Sequence, residues 1–210
     1  IMVYKNLFNR LFFSFFFFII FFLTYNNKYL LFILGSLIYF FIFYETFKFF
    51  KKFFKLILIY LLFSYFCFAI YLFNFFDFLF FNVFVYSIIS FDSLSYFFGK
   101  LFGKNYVFKF ISPKKTLEGY AGGILFTNAL FIMYFYFFQI QLTFIISLIL
   151  INLTILVSII GDLIESFFKR KNNIKDSSRY LPGHGGFFDR FDSFIAAIIM
   201  LTLFNLIVKI

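Results

Sequence analysis

Long apolar stretches without a single charge limit what this chain can fold into. Residues 11–25 and 56–76 contain no Asp, Glu, Lys or Arg. A helix that crosses the hydrocarbon core of a bilayer needs about 20 such residues. Charged residues make up only 13% of the chain, whereas a soluble domain usually carries about 25%. These features exclude a water-soluble globular fold and predict an all-α, polytopic integral membrane protein.

The pattern of apolar and polar segments predicts about seven transmembrane helices. We place them at residues 11–25, 29–47, 56–76, 78–98, 120–138, 142–163 and 193–208. The first of them follows Lys5 and Arg10, as the core of a signal peptide does. Because no small-residue cleavage site follows it, and more spans come after it, we interpret it as a retained membrane helix.

The basic residues predict the orientation of the chain. All but two of the 19 Lys and Arg residues lie in the N-terminal segment and in the second, fourth and sixth connections. The exceptions are Lys28 and Lys209. The positive-inside rule therefore places the N-terminus in the cytoplasm and the C-terminus outside. The net charge of +10 is explained by this topology and by anionic lipid headgroups, so we expect no nucleic-acid partner.

Polar marks are concentrated in the C-terminal half. The two large cytoplasmic loops, residues 99–119 and 164–192, contain the only prolines, Pro113 and Pro182. Nine of the ten glycines lie at or after Gly99. We therefore divide the chain into N-terminal transmembrane helices that serve as a scaffold, residues 1–89, and a catalytic transmembrane region, residues 90–210.

Three acids define the predicted catalytic site at the cytoplasmic membrane face. Asp162 lies near the end of the sixth span, where a carboxylate is costly unless it is paired or metal-bound. Asp189 and Asp192 share one helical face. They could simply cap the last helix, where acids are favourable. Together with Asp162 and the surrounding cations they favour a Mg²⁺–nucleotide site. Those cations are Lys169, Arg170, Lys175, Arg179 and Arg190.

Two further motifs fit a phosphate-bearing substrate. Residues 182–186 read PGHGG, and glycines there allow backbone N–H groups to approach an anion. We assign the single histidine, His184, a substrate or metal-shell role. Residues 111–119 read ISPKKTLEG and offer Ser112, Lys114 and Lys115 for phosphate binding, or a basic loop that anchors to the membrane. Asp92 either pairs with a loop lysine or belongs to the site, and the sequence leaves both open.

The stretch 166–192, S-x-F-K-R-x4-K-D-x-S-x2-L-P-x-H-G-G-F-x-D-R-F-D, resembles the signature of the phosphatidate cytidylyltransferase (CDP-diacylglycerol synthase) family. The segments 111–119 and 92–104 resemble two other blocks of that family, in the expected order. Ser95 stands where the family has alanine. The resemblance covers about residues 90–208.

This resemblance implies a complete activity. The family condenses CTP with phosphatidic acid to give CDP-diacylglycerol and pyrophosphate, with Mg²⁺ and often K⁺, in the cell inner (plasma) membrane and as a homodimer. It implies metal-binding roles for Asp162, Asp189 and Asp192. The implied catalytic residues are Asp162, Lys175, Asp176, Asp189, Arg190 and Asp192. The implied substrate-binding residues are Ser112, Lys114, Lys115, Lys169, Arg170, His184, Gly185 and Gly186.

Several other classes of protein fit the sequence less well. A CTP-dependent lipid or polyprenol kinase, or a cytidylyltransferase that uses another lipid phosphate, is disfavoured by the match to the signature. A CDP-alcohol phosphotransferase would need the D-G-x2-A-R…G-x3-D-x3-D pattern, which is absent. A transporter would place charges near the bilayer midplane, whereas these charges gather at one face. The intact motif also argues against an inactive relative.

Overall fold

The computed structural model describes residues 19–138, 144–178, 180–181 and 185–208. Within them the chain forms six long helices. They are α1 (Lys28–Phe49), α2 (Phe54–Ile70, extended by a π-helical turn over Tyr71–Phe75), α3 (Phe78–Phe102), α4 (Leu117–Phe138), α5 (Phe144–Lys171) and α6 (Phe188–Val208).

The predicted all-α membrane architecture is confirmed. Each of the six helices is long and apolar enough to cross a membrane by length and composition. They correspond to the second to seventh predicted spans. The first predicted span, residues 11–25, lies mostly outside the described residues, although residues 19–24 are helical.

The predicted loop boundaries were wrong at residues 164–192. Helix α5 continues to Lys171, and α6 begins at Phe188. The last turns of α5 bury Glu165, Ser166 and Phe168 against the rest of the protein, so tertiary packing extends the helix beyond its apolar part. Hydropathy locates the segment that crosses the bilayer rather than the end of the helix.

The predicted loop 99–119 contains an antiparallel hairpin, which the sequence analysis did not predict. Its strands are β1 (Tyr106–Phe108) and β2 (Ser112–Thr116). The carboxylate of Glu118 holds the base of the hairpin by accepting the backbone N–H groups of Lys104 and Asn105, at 3.1 and 3.2 Å. The hairpin is thereby fixed to the first turn of α4.

Helix packing places the ends of several helices that are predicted to face the cytoplasm side by side. α3 packs along α4, α5 packs along α6, and α2 also contacts α6. On the opposite side of the predicted membrane, Asn27 and Asp77 accept backbone N–H groups at the starts of α1 and α3, both at 2.9 Å. These side chains are N-caps, and the connections they close are short.

A close approach between α5 and α6 requires glycine at position 161. A Cβ atom added to Gly161 would lie 2.7 Å from the Cβ of Ala196 and 2.7 Å from the carbonyl oxygen of Asp192. Any larger residue would force the two helices apart. Because Asp162 follows Gly161 directly, this contact also brings the carboxylates of Asp162 and Asp192 to the same place.

We expect Gly161→Val to destabilise the protein by about 1–3 kcal/mol, the usual cost of overpacking a close contact. Thermal unfolding in detergent, followed by loss of the monodisperse size-exclusion peak, measures this as a lower midpoint. Ile160→Val is the matched control, because Ile160 is 51% exposed on the outer surface. Equal midpoints for both variants would contradict the proposed close contact.

Candidate active site

Four charged residues from four different elements meet at the predicted cytoplasmic face. We call them the acid–lysine cluster: Asp92 of α3, Lys115 of β2, Asp162 of α5 and Asp192 of α6. The Lys115 ammonium nitrogen lies 2.5 Å from Asp162 Oδ2. Asp192 interacts electrostatically with Asp162, Asp92 and Lys115. The sequence predicted Asp162, Asp192 and Lys115 as site residues, and the fold brings these three together.

The sequence left open whether Asp92 pairs with a loop lysine or belongs to the site, and its position in the structure is compatible with both. Its carboxylate interacts with the loop lysine, Lys115, and with Asp162. The side chain of Ser193, next to Asp192, is its hydrogen-bond partner. Asp92 therefore lies beside a loop lysine and also within the acid–lysine cluster.

The charge of Lys115 is maintained by its acidic neighbours. Burial by itself would lower the pKa of the Lys115 ammonium, but the negative charge of Asp162 and the hydrogen bond to it outweigh burial and raise the pKa above its ordinary value. Asp92 adds to this effect. Lys115 is thus positively charged at neutral pH and partly balances three carboxylates.

The acid–lysine cluster has the chemistry of a Mg²⁺ site without a finished set of ligands. The buried Oδ2 atom of Asp162 makes no aligned hydrogen bond in the described structure, although the Lys115 nitrogen is close. In the described ranges, no three acidic, His or Cys side chains converge enough to hold a metal ion. Mg²⁺ commonly uses one or two carboxylates and takes its other ligands from water and phosphates. The residues present fit that mode of binding.

Asp189 lies in a neighbouring set of contacts. The ammonium of Lys169 bridges Glu165 Oε2 and Asp189 Oδ1, at 2.5 and 2.6 Å. The second oxygen of Asp189 accepts the backbone N–H of Ser177 at 2.8 Å, the Ser177 hydroxyl at 3.0 Å and the backbone N–H of Gly186 at 2.8 Å. Both oxygens of Asp189 are therefore occupied by donors.

A fully buried carboxylate from the N-terminal half, Glu45 of α1, completes this second set. Its Oε1 atom accepts the Ser178 hydroxyl at 2.6 Å and the Phe187 N–H at 2.8 Å. Its Oε2 atom accepts the Ser177 hydroxyl and the Phe188 N–H, both at 3.0 Å. We call the six residues of this set the loop-anchoring group: Glu45, Glu165, Lys169, Ser177, Ser178 and Asp189.

Glycine at position 186 makes room for the loop-anchoring group. A Cβ atom there would overlap the hydroxyl oxygen of Ser177 and lie 2.7 Å from Glu45 Oε2. The predicted role of Gly186 was to bring its backbone N–H close to an anion. In the described structure that anion is the carboxylate of Asp189, which lies in the same chain.

The other predicted site residues lie around these two groups. Arg170 donates from Nε to the Ile111 carbonyl at 3.1 Å and so binds the hairpin to α5. Lys114 is exposed and Ser112 is half-buried at the start of β2. Lys175 and Asp176 are exposed, Gly185 is half-buried, and Arg190 is exposed in the first turn of α6. His184 and Arg179 lie outside the described residues. The predicted roles of all these residues stay predictions.

The sequence reasoning missed Glu45 and Glu165. Glu45 is the only acidic residue among the first 76, and a lone carboxylate in an apolar helix usually marks a functional position. That signal was present and was not used. Glu165 lies three residues after Asp162, which places both on one face of α5, but it was interpreted as part of a loop.

Two cavities open beside the charged groups. The larger, about 550 Å³, lies between α1, α3 and α6 and has a mostly apolar lining. Along α1 it extends from Leu31 to Ile42, about 16 Å at about 1.5 Å per residue. Its polar lining includes Asp92, Ser93 and Arg190. The smaller cavity, about 390 Å³, is lined mainly by polar and aromatic residues that include Lys48, Lys175, Asp176, Ser177 and Tyr180.

Comparison with known proteins matches the whole chain to one family. A sequence model of the Cytidylyltransferase family matches residues 2–208. That range includes the acid–lysine cluster, the loop-anchoring group and all six helices.

Curated relatives named phosphatidate cytidylyltransferase match part of the chain. The protein of Staphylococcus haemolyticus (strain JCSC1435) is 43% identical over 115 residues, and that of Staphylococcus aureus (strain COL) is 41% identical over 115 residues. The protein of Staphylococcus saprophyticus subsp. saprophyticus is 44% identical over 117 residues. Each match covers 53% of this chain and 43% of the relative. The matched part of the chain thus spans less than half the length of these relatives.

We expect Lys115→Met to destabilise the protein by about 1–2 kcal/mol, because it leaves Asp162 without its cation. The loss is smaller than for a fully buried pair, since 32% of the Lys115 side chain is exposed. Thermal midpoints in detergent measure it, and Lys114→Met is the matched control on the exposed neighbour. A double-mutant cycle with Asp162→Asn should give a coupling energy. Purely additive effects would mean that the two side chains do not interact.

Proposed function

Because the chain belongs to the cytidylyltransferase family, we propose that it transfers the cytidylyl group of CTP to phosphatidic acid, giving CDP-diacylglycerol and pyrophosphate. This is a nucleotidyl transfer that serves phospholipid synthesis. The names of the curated relatives support it, and so does the signature at residues 166–192.

The observation that carries the proposal is the larger cavity. Its apolar lining follows the membrane-crossing parts of α1 and α3, and its polar lining reaches Asp92 of the acid–lysine cluster. Acyl chains would occupy the apolar part. The lipid phosphate would then lie near Arg190, beside the carboxylates and Lys115. A water-soluble substrate would gain little from the apolar part of this cavity, whereas a lipid phosphate fits both the apolar part and the polar part.

The reaction requires no nucleophilic side chain. A phosphate oxygen of the lipid attacks the α-phosphorus of CTP, a new P–O bond forms, and the bond to the β-phosphate bridging oxygen breaks as pyrophosphate leaves. The protein contributes by holding the two phosphates in line and stabilising the negative charge that develops. We propose that Lys115 of the hairpin and Arg190 of α6 supply the positive charge for this. The smaller cavity, with Lys48 and Lys175 in its lining, would receive the nucleotide from the cytoplasm.

We propose that Asp162 and Asp192 hold Mg²⁺, with Asp92 as a neighbour. When bound, the ion would neutralise part of the triphosphate charge. Asp189 is also predicted as a ligand, but its oxygens are occupied by Lys169, Ser177 and Gly186. It would have to release one of these donors to bind an ion. A site for K⁺ rests on the family resemblance alone.

We further propose that the protein is inserted in the plasma membrane with its N-terminus in the cytoplasm. The distribution of Lys and Arg supports this orientation. With it, the hairpin, the acid–lysine cluster and the loop-anchoring group all face the compartment that contains CTP. The proposed homodimer rests on the family resemblance alone.

The direct test supplies detergent-solubilised protein with labelled CTP, phosphatidic acid and Mg²⁺, and follows label into the lipid phase. We expect labelled CDP-diacylglycerol, and we expect EDTA to abolish its formation and added Mg²⁺ to restore it. Folded protein that yields no labelled lipid with phosphatidic acid would overturn the proposed substrate. Product formation that resists EDTA would overturn the metal requirement.

Substitution of a site carboxylate should remove activity without removing the protein from the membrane. We expect Asp189→Asn to lower kcat by about 100-fold or more, as loss of a preorganised charge usually does, with unchanged membrane insertion. Asp77→Asn is the matched control: this acid caps α3 on the other side, and Asn caps helices about as well as Asp. Turnover of Asp189→Asn at the rate of this control would remove Asp189 from the site.

A further inference from the structure

We infer that Glu45 is a positioning residue: its buried carboxylate fixes the segment before α6 and the N-terminus of α6, and thereby sets the positions of Asp189 and Asp192. The effect on catalysis rests on the proposed function, whereas the effect on the local backbone does not. Glu45 belongs to α1, in the part of the chain that the sequence assigned to scaffold.

The contacts of Glu45 form a complete set around its two oxygens. Each oxygen accepts one serine hydroxyl and one backbone N–H, at 2.6–3.0 Å. All four donors belong to the signature stretch, 132 to 143 residues further along the chain. A carboxylate with 0% exposure and four donors is a built anchor, since a buried carboxylate without such partners would be strongly unfavourable.

The two backbone donors place Glu45 at the beginning of α6. Phe188 is the first residue of that helix and Phe187 precedes it, and N–H groups at a helix N-terminus have no partner within the helix. A negative charge there is also favourable because of the helix dipole. Glu45 therefore caps α6 from a different helix, and the first turn that it fixes carries Asp189 and Arg190, with Asp192 directly after it.

A single hydroxyl connects Glu45 to Asp189. The oxygen of Ser177 lies 3.0 Å from Glu45 Oε2 and 3.0 Å from Asp189 Oδ2. A hydroxyl has one proton to donate, so the two carboxylates share it. Asp189 in turn holds Lys169. A change at Glu45 thus reaches the Asp189 carboxylate through the single side chain of Ser177.

The pattern of donors explains why the residue is glutamate. Glutamine has the same shape, but its amide group has one oxygen and one NH₂. The NH₂ would face one serine hydroxyl, which can rotate to accept, and one backbone N–H, which cannot. Either Phe187 or Phe188 would then lose its acceptor. Aspartate keeps the charge but is one methylene shorter, so it cannot reach all four donors from α1.

The experiment compares Glu45→Gln with Thr46→Val. Thr46 is equally buried on the same helix, and its hydroxyl donates to the Ile42 carbonyl of α1, which makes it a matched control. Hydrogen exchange of the purified protein, read by mass spectrometry, reports on the peptides that contain residues 177–178 and 186–188. We expect exchange there to become about tenfold faster in Glu45→Gln and to stay unchanged in Thr46→Val.

Kinetics separate positioning from mere stability. We expect Glu45→Gln to lower kcat per folded molecule by about 10–100-fold, the effect of small misplacements in an active site, and to change KM for CTP and phosphatidic acid by less than about threefold. A residue that only supports the fold would reduce the amount of monodisperse protein and leave kcat per folded molecule intact.

Each outcome decides the inference. Unchanged exchange at residues 186–188, or unchanged kcat with faster exchange, would overturn it. If Glu45→Gln does not fold, Ser178→Ala removes one donor from Oε1 and should give the same changes to a smaller degree; its failure to do so would also overturn it. If the unsubstituted protein makes no CDP-diacylglycerol, the proposed function fails, and the exchange measurements still decide whether Glu45 fixes the N-terminus of α6.

Discussion

The arrangement of this protein depends on the cost of a charge that has left water. At the boundary of a membrane a carboxylate must find a cation or several hydrogen-bond donors, or it destabilises the fold. Three of the acids here meet that demand differently. Asp162 has Lys115 of the hairpin, Asp189 has Lys169 and the backbone of the preceding segment, and Glu45 has four neutral donors. The contacts of Glu45 and of Asp162 join elements that lie far apart in sequence, so satisfying these charges also fixes the relative positions of the helices.

The sequence predicted the helices well and their ends poorly. Spans follow from hydropathy, because a bilayer imposes a minimum apolar length on every helix that crosses it. The ends of α5 and α6 depend on tertiary contacts such as the burial of Glu165 and Phe168, which no local pattern reveals. The strands of the hairpin are three and five residues long, too short for a clear alternation, and their pairing escaped prediction for that reason.

The same distinction applies to the candidate site. The sequence pointed to Asp162, Lys115 and Asp192 because acids, lysines and glycines are concentrated in and beside the two predicted cytoplasmic loops. It could not assign partners, since the pairing of Lys115 with Asp162 depends on how the hairpin meets α5, and that of Lys169 with Asp189 on how α5 meets α6. Glu45 was missed because it is an isolated acid that belongs to no motif, and its partners lie more than 130 residues away in the sequence. In a chain so poor in charge, an isolated acid carries as much information as a motif.

The contact between Glu45 and the start of α6 also has a consequence for biosynthesis. Glu45 and Ser177 are separated by 132 residues, and a chain grows at about 5–20 residues per second. The acid of α1 must therefore remain without its native donors for about 7–26 s after it is made, while the four helices α2 to α5 are synthesised. During that time it needs water, the headgroup region or the insertion machinery as its surroundings. Maturation of the site is consequently one of the last events in assembly. A nascent chain stalled before α6 would contain a Glu45 carboxylate without its backbone hydrogen-bond donors.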